Sequence, residues 1–318
     1  MRDGLNPVRL QMPHPGKERW ATVLDYLVAR FPEDAVRLRE KVAAREVVDE
    51  LGRPFREESA FVPGALVFLY RDAAPEPRVP FEIDVLHQDD DLVVIDKPHF
   101  LASTPRGAYV VESALVRLRR QLDMPELSPA HRLDRITAGV LVLTTRRAVR
   151  GAYQQMFAAR TVDKTYEAVA PVDPQLTFPR TVRSRIVKEL GTLQAQEVPG
   201  EPNSESLIDL VAVRTYAAGC RLGRYELRPR TGKTHQLRLH MASLGLAICN
   251  DNFYPQFYDV ASDDYSAPLQ LLARSIEFTD PFSGQRREFV SRRQLSVWAD
   301  LPRSDGGRST TTLQPPVR

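Results

Sequence analysis

Apolar residues recur along this chain with two different periods, and the switch between them predicts its elements. Over 17–31, Trp20, Val23, Leu24, Leu27 and Phe31 recur at helical spacing, and Pro32 ends that helix. A second helical stretch covers 34–44, where Val36, Leu38 and Val42 sit beside the basic Arg37, Arg39 and Lys41. EVVDE (46–50) and VPGALVFLYR (62–71) read as short strands on either side of Gly52-Arg53-Pro54. Residues 1–16 hold Pro and Gly without periodicity and read as an irregular arm, and DAAPEPRVP (72–80) reads as a linker.

Beyond 80 the apolar runs shorten and intensify. Leu92-Val93-Val94-Ile95 and Val140-Leu141-Val142-Leu143 are continuous enough to predict strands buried on both faces. Residues 111–122 (VESALVRLRRQL) form an amphipathic helix that leaves Arg117, Arg119 and Arg120 to solvent or a partner. Residues 147–160 form another, with Val149, Tyr153, Met156 and Phe157 on its core stripe. Period two then places Val162, Lys164, Tyr166, Ala168 and Ala170 on one face of a strand. The polar, Pro-rich 172–204 reads as hairpins carrying Arg180, Arg183, Arg185 and Lys188, and 206–217 and 220–228 as strands joined at Ala218-Gly219. A turn and helix follow, with Thr234 as N-cap, Leu237, Met241 and Leu244 as the buried stripe and Gly245 as the stop. His235 and Arg238, three apart, share another face of it. Residues 269–289 read as strand, turn and strand, and 303–318 as a disordered tail. The domain reading is a small α/β module over 17–71, whose two helices, small strands and Pro-Gly turn resemble a compact ribosomal-protein-type RNA-binding module, then the linker, and a main domain over 81–302.

Composition narrows the class. Of 318 residues, 42% are hydrophobic and 27% charged, the balance of a globular protein. No apolar run approaches the roughly 20 residues that cross a bilayer, and the N-terminal stretch lacks the apolar core of a secretory signal. Cys220 and Cys249 have no spacing of a metal site or disulfide framework, so a reducing cytoplasm is expected. A net charge of +3 names no partner, but its distribution does more. Arginines crowd 117–150 and again 221–238 (Arg221, Arg224, Arg228, Arg230, Arg238), a pattern suited to a polyanion such as RNA.

Between these basic sets lies PAHRLDRITAGVLVLTT (129–145). It packs His131, Arg132, Asp134 and Arg135 together at the mouth of a buried strand, which holds a loop rigidly. A lone carboxylate among cations is kept ionised. By composition alone the stretch equally fits a surface loop with local ion pairs.

The spelling H-R-L-D-x-x-T-A-G before an apolar strand resembles the central motif of RluA-type pseudouridine synthases. DDLVVIDKP (90–98), VDKTYEAV (162–169) and PRTGKTHQLRLHMASLGLAI (229–248) resemble the family's other motifs, in its order, and together they span roughly 83–280. The resemblance implies an α+β fold with a mixed, mainly antiparallel sheet and flanking helices. It implies isomerisation of specific uridines in structured ribosomal or transfer RNA, by a monomer, without cofactor, metal or membrane. By the same resemblance Asp134 is the nucleophile, Arg238 its partner and Tyr166 the active-site tyrosine. Arg132 occupies or opens the space the uridine leaves. His131, Arg135, Thr137, Lys164, Lys233 and His235 complete the substrate-binding set, His131 and Thr137 as braces of the loop. The chain departs from the family at Thr137-Ala138-Gly139, where T-S-G is usual, and at Lys233, where arginine is usual. It also has His99-Phe100 where the family has a glycine. Two other readings stay open. A metal-dependent hydrolase would use His131, Asp134, His235 and His240, although His235 and His240 stand about 140° apart on a helix. A non-catalytic RNA-binding protein would keep the fold alone.

Overall fold

The computed structural model describes residues 3–14, 20–70, 72, 76–215 and 219–301, so the expected tail at 303–318 and the join at Ala218 lie outside the described residues. The chain divides into two units, Met1–Pro75 and Glu76–Arg318.

The smaller unit contains β1 (Val8–Gln11), α1 (Val23–Arg30), α2 (Ala35–Ala43) and β2 (Leu66–Leu69). Thr22 and Asp25 close a capping box at the start of α1, each side chain taking the other's backbone N–H at 3.1 and 3.0 Å. Val23, Leu24 and Leu27 of α1 pack with Leu38 and Val42 of α2 and with Val67 and Leu69 of β2. The arm expected over 1–16 contains a strand, because β1 pairs antiparallel with β2 from Val8↔Leu69 to Gln11↔Leu66. The EVVDE segment contributes single bridges, at Val48, in place of a strand. Residues 17–19 of the expected first helix and Arg71 lie outside the described residues.

The larger unit runs β3 (Asp84–Gln88), β4 (Leu92–Lys97), α3 (Ala114–Gln121), β5 (Ser128–Pro129), β6 (Ala138–Thr144), α4 (Arg147–Ala159), β7 (Asp163–Pro171) and β8 (Arg180–Val187). It continues with β9 (Gln196–Val198), β10 (Ser204–Thr215), β11 (Arg221–Pro229), α5 (Gln236–Ser243), β12 (Leu271–Thr279), β13 (Arg286–Val290) and α6 (Ser296–Asp300). Its eleven strands form one sheet ordered β3-β4-β6-β12-β7-β11-β10-β8-β9, with β13 on β12 and β5 on β6. The paired neighbours are antiparallel except β6 and β12, which are parallel, so the fold is α+β with a mixed, mainly antiparallel sheet.

Every residue of β4 and of β6 is buried, for the reason their apolar runs suggested. One set of side chains, Val93, Ile95, Leu141 and Leu143, packs on Leu115 and Leu118 of α3. The alternate set, Leu92, Val94, Val140 and Val142, packs on Val149, Tyr153 and Met156 of α4. Each such aliphatic side chain contributes about 1.5–3 kcal/mol by leaving water. Further along, Ala168, Tyr225, Leu227 and Ile208 carry Leu237 and Met241 of α5 on the sheet face that holds Tyr166.

Two expectations fail here for local reasons. Arg119 is buried and donates to the Leu127 carbonyl from Nε and Nη2 at 3.1 and 2.8 Å, closing the turn after α3 instead of facing solvent. Residues 76–80 of the expected linker are bound to the larger unit. The Glu76 carboxylate accepts the N–H groups of Val110, Val111 and Glu112, and Val79 is buried. Among the described residues no helix is long and apolar enough to cross a membrane.

Candidate active site

The loop from Ala130 to Thr137 feeds β6, and three side chains from the end of β4 and the segment after it hold its backbone. Lys97 Nζ donates to the carbonyls of Pro98, Leu101 and Arg135 at 3.0, 2.8 and 3.2 Å. His99 Nδ1–H donates to the Ile136 carbonyl at 2.7 Å. Ser103 Oγ donates to the Leu133 carbonyl and accepts the Leu133 N–H, at 2.7 and 3.0 Å. Phe100 takes φ +66°, the left-handed backbone that the family's glycine would supply, and its buried ring joins the core beneath the loop. Within the loop, the Thr137 N–H donates to the Asp134 carbonyl at 3.1 Å, and Thr137 is buried.

His131 accepts the Val142 N–H at Nε2, 3.2 Å away, and stacks on Phe157 with ring centres 4.5 Å apart. Burial and nearby Lys164 push its pKa down to about 3, and burial pushes His99 down to about 4. Arg135 turns from Asp134 toward the Tyr109 ring, 4.6 Å from its centroid.

Asp134 stands midway along this loop with its side chain one-third exposed, and Arg238 from α5 lies beside it, Nη1 to Oδ2 3.8 Å. The tighter partner of Arg238 is a residue that the sequence did not single out. Asp251 receives Nε at 2.7 Å and Nη2 at 2.6 Å, and both groups are buried. Phe253 and Tyr254, from the same segment, place their rings 4.8 and 5.3 Å from the guanidinium. With Arg238 held by Asp251, the charge facing Asp134 includes the buried Lys97 ammonium. Burial pushes the Lys97 pKa down to about 7, with Arg293 and Arg135 adding to the fall, while the Asp134 charge opposes it.

Thr234 does not cap α5; His235 does, with φ +56° and no side-chain cap. That strained backbone directs His235 Nδ1–H to Tyr254 Oη at 2.9 Å, because the Tyr254 hydroxyl itself donates to the Ala195 carbonyl. Burial lowers the His235 pKa and the Asp134 charge opposes this, so the ring lies within reach of the carboxylate's field. Tyr166 of β7 is placed by a double pairing: Ala273 of β12 lies opposite Gly139 on one side and Tyr166 on the other. Its hydroxyl pKa is raised by burial and then by the negative charge of Asp134. Gly139 has φ +113°, and a Cβ there would overlap the Ala273 backbone. Lys164 shares the Tyr166 face and is driven down by burial. Arg132 and Lys233 are exposed, and among the described residues neither side chain makes an ion pair. No group of three or more His, Cys, Asp or Glu among the described residues gathers as metal ligands, and His240 is enclosed by the hydroxyls of Ser184, Ser204 and Ser206.

A family model described as RNA pseudouridylate synthase matches residues 91–243. The chain is 30% identical over 228 residues to the dual-specificity RNA pseudouridine synthase RluA of Haemophilus influenzae, covering 68% of this chain and 95% of that protein. It is 32% identical over 221 residues to RluA of Escherichia coli K12, with 67% and 94% covered. A Synechocystis RNA pseudouridine synthase is 31% identical over 194 residues, and the chain spans 65% of its length. The fold is similar to that of human RNA Pseudouridylate Synthase Domain Containing 4, with a TM-score of 0.50 and 27% identity over 69% of this chain and 89% of that one. Human RNA Pseudouridylate Synthase Domain Containing 1 gives a TM-score of 0.52 at 21% identity, over 69% and 86% of the two chains. With the two RluA relatives matched over nearly their whole length and a similar fold, this chain belongs to the RluA-type RNA pseudouridine synthases, enzymes that isomerise uridine in RNA.

Proposed function

We propose that this chain converts specific uridines of ribosomal or transfer RNA in the cytoplasm, with Asp134 as the nucleophile on a flipped-out uridine. The observation that carries the reading is the placement of the Asp134 carboxylate, accessible midway along a braced loop and 3.8 Å from a buried guanidinium. The reaction breaks the bond from ribose carbon 1′ to the base nitrogen and rebuilds it to a base carbon. Asp134 supplies the electron pair, to ribose carbon 1′ or to base carbon 6. Arg238, fixed by Asp251, orients the carboxylate, and Lys97 adds a second positive charge without reaching into solvent. The Tyr166 ring is the platform for the freed base. Its hydroxyl stays protonated while Asp134 is charged. Covalent attachment removes that charge, and with it one of the two causes that hold the phenol pKa up, as the later proton removal requires. Extruding the base costs a few kcal/mol, and the exposed Arg132 is available to fill the gap. The module within 17–71, with α1, α2 and the exposed Arg39, adds a second RNA contact, while Arg37 is engaged by Glu40 and Asp72.

The test pairs purified protein with bulk RNA and maps pseudouridine by nucleoside analysis. Wild type forms it and Asp134→Asn forms none, while the variant keeps RNA affinity within about threefold, or about 0.7 kcal/mol. Equal RNA binding with no pseudouridine from either protein contradicts the reading.

A further inference from the structure

A cavity of about 260 Å³ opens on the sheet face turned away from Tyr166. Glu167 follows Tyr166 in β7 and points to the opposite side, as period two demands. The cavity lies between α6 and the strands, and Glu167, Arg214, Arg224, Arg274 and Trp298 line it.

Its arginines are not equivalent. Arg274 is neutralised by a fork on Glu167, both contacts 2.9 Å, and gives Nη1 to the carbonyls of Ser291 and Arg293. Arg214 gives Nη1 to the carbonyls of Trp298 and Leu301, at 2.6 and 3.3 Å, and meets no carboxylate among the described residues. Arg224 has none there either, and its buried Nε has no hydrogen-bond partner. The Trp298 ring lies 4.3 Å from the Arg214 guanidinium and 5.6 Å from that of Arg224. The Arg224 guanidinium, which borders the cavity, is thus left short of hydrogen-bond partners at its enclosed Nε.

We infer that this cavity binds a phosphate monoester. Two guanidinium charges stand there without a counter-charge among the described residues, and a monoester carries about −1.5 to −2 at neutral pH. A carboxylate would balance only one of them. The fork geometry of arginine suits the oxygens of such a group, and the volume leaves room for part of the alcohol that carries it. A free mononucleotide and the 5′-terminal phosphate of an RNA present the same chemistry. None of the lining residues belongs to the Asp134 site, so the inference stands apart from the proposed reaction.

The chain holds only two tryptophans, Trp20 and Trp298, and Trp20 lies in the smaller unit. In a Trp20→Phe background, fluorescence therefore reports on the cavity alone, and calorimetry on the unaltered chain provides the same isotherm without a substitution. Inorganic phosphate and uridine 5′-monophosphate should give a saturable change that acetate at equal ionic strength does not. Arg224→Gln should weaken phosphate binding about tenfold or more, with an unchanged circular dichroism spectrum. A 5′-phosphorylated oligonucleotide that binds more tightly than its 5′-hydroxyl counterpart would assign the site to an RNA end, and equal binding to free nucleotides. No saturable response to phosphate, an equal response to acetate, or a response unchanged by Arg224→Gln would overturn the inference.

Discussion

Arg238 is clamped by Asp251 through two hydrogen bonds of 2.6 and 2.7 Å, with both side chains almost wholly buried. The pair fixes the guanidinium before substrate arrives, and Asp134 meets a cation that is already oriented. Removing Asp251 leaves that cation buried with only a looser partner. Asp251→Ala should therefore cost about 3–5 kcal/mol in urea unfolding. Asp251→Asn, which keeps an acceptor oxygen, should cost less. Pseudouridine formation should fall in both, and a stability loss under about 1 kcal/mol in the alanine variant would show that the fork is not structural.

Tyr166 separates two roles. Tyr166→Phe keeps the ring against the core and loses only the hydroxyl. If the phenol takes part in the proton transfer, kcat should drop by about 100-fold or more with KM nearly constant. Tyr166→Ala removes the platform as well, so KM should rise and stability should fall by about 3–5 kcal/mol. Steady-state kinetics on a short RNA substrate with both variants resolve the split.

Two half-buried histidines beside the loop give an acid limit. His131 and His99 have folded pKa values of about 3 and about 4, below an unfolded value near 6.5. Between those values the unfolded chain binds protons that the folded chain does not, so stability falls as pH falls through that window. At pH 5 the loss is on the order of 2 kcal/mol for each histidine, and it is absent above about pH 7. Urea midpoints across this range should show the decline, and a His131→Gln, His99→Gln double variant should flatten it.

Gly139 tests how the central strands set the site. Its φ of +113° and the contact with the Ala273 backbone leave no place for a methyl group. Gly139→Ala should destabilise by about 3 kcal/mol or more, combining overpacking with backbone strain. Because Ala273 also faces Tyr166, residual folded protein should lose activity too. A variant with wild-type melting behaviour would disprove the close approach.

Much of this was legible along the chain because the signals are local. The continuous apolar runs at 92–95 and 140–143 lie in β4 and β6, strands whose faces are both covered, and alternation over 162–170 placed Lys164 and Tyr166 on one side of β7. Period and burial follow from the same backbone geometry. Boundaries set by partners were not legible. Val8–Gln11 became a strand because β2 offered it an edge, and Arg119 turned inward because the Leu127 carbonyl needed a donor. Thr234 had the chemistry of an N-cap, yet the cap fell on His235 in a left-handed conformation, where Tyr254 fixes its ring.

The sequence by itself determined the kinds of group at the site: an aspartate in a charged loop, an aromatic on a strand, an arginine on a helix. Those identities belong to short stretches whose spelling survives any arrangement of the chain. Only the tertiary structure decided which charges meet. β12, from late in the chain, lies between β6 and β7, and the segment after α5 brings in Asp251 to hold Arg238. Lys97 and His99 likewise reach the Asp134 loop across more than thirty residues. Such contacts depend on burial shared between distant segments, and a linear pattern carries no record of them.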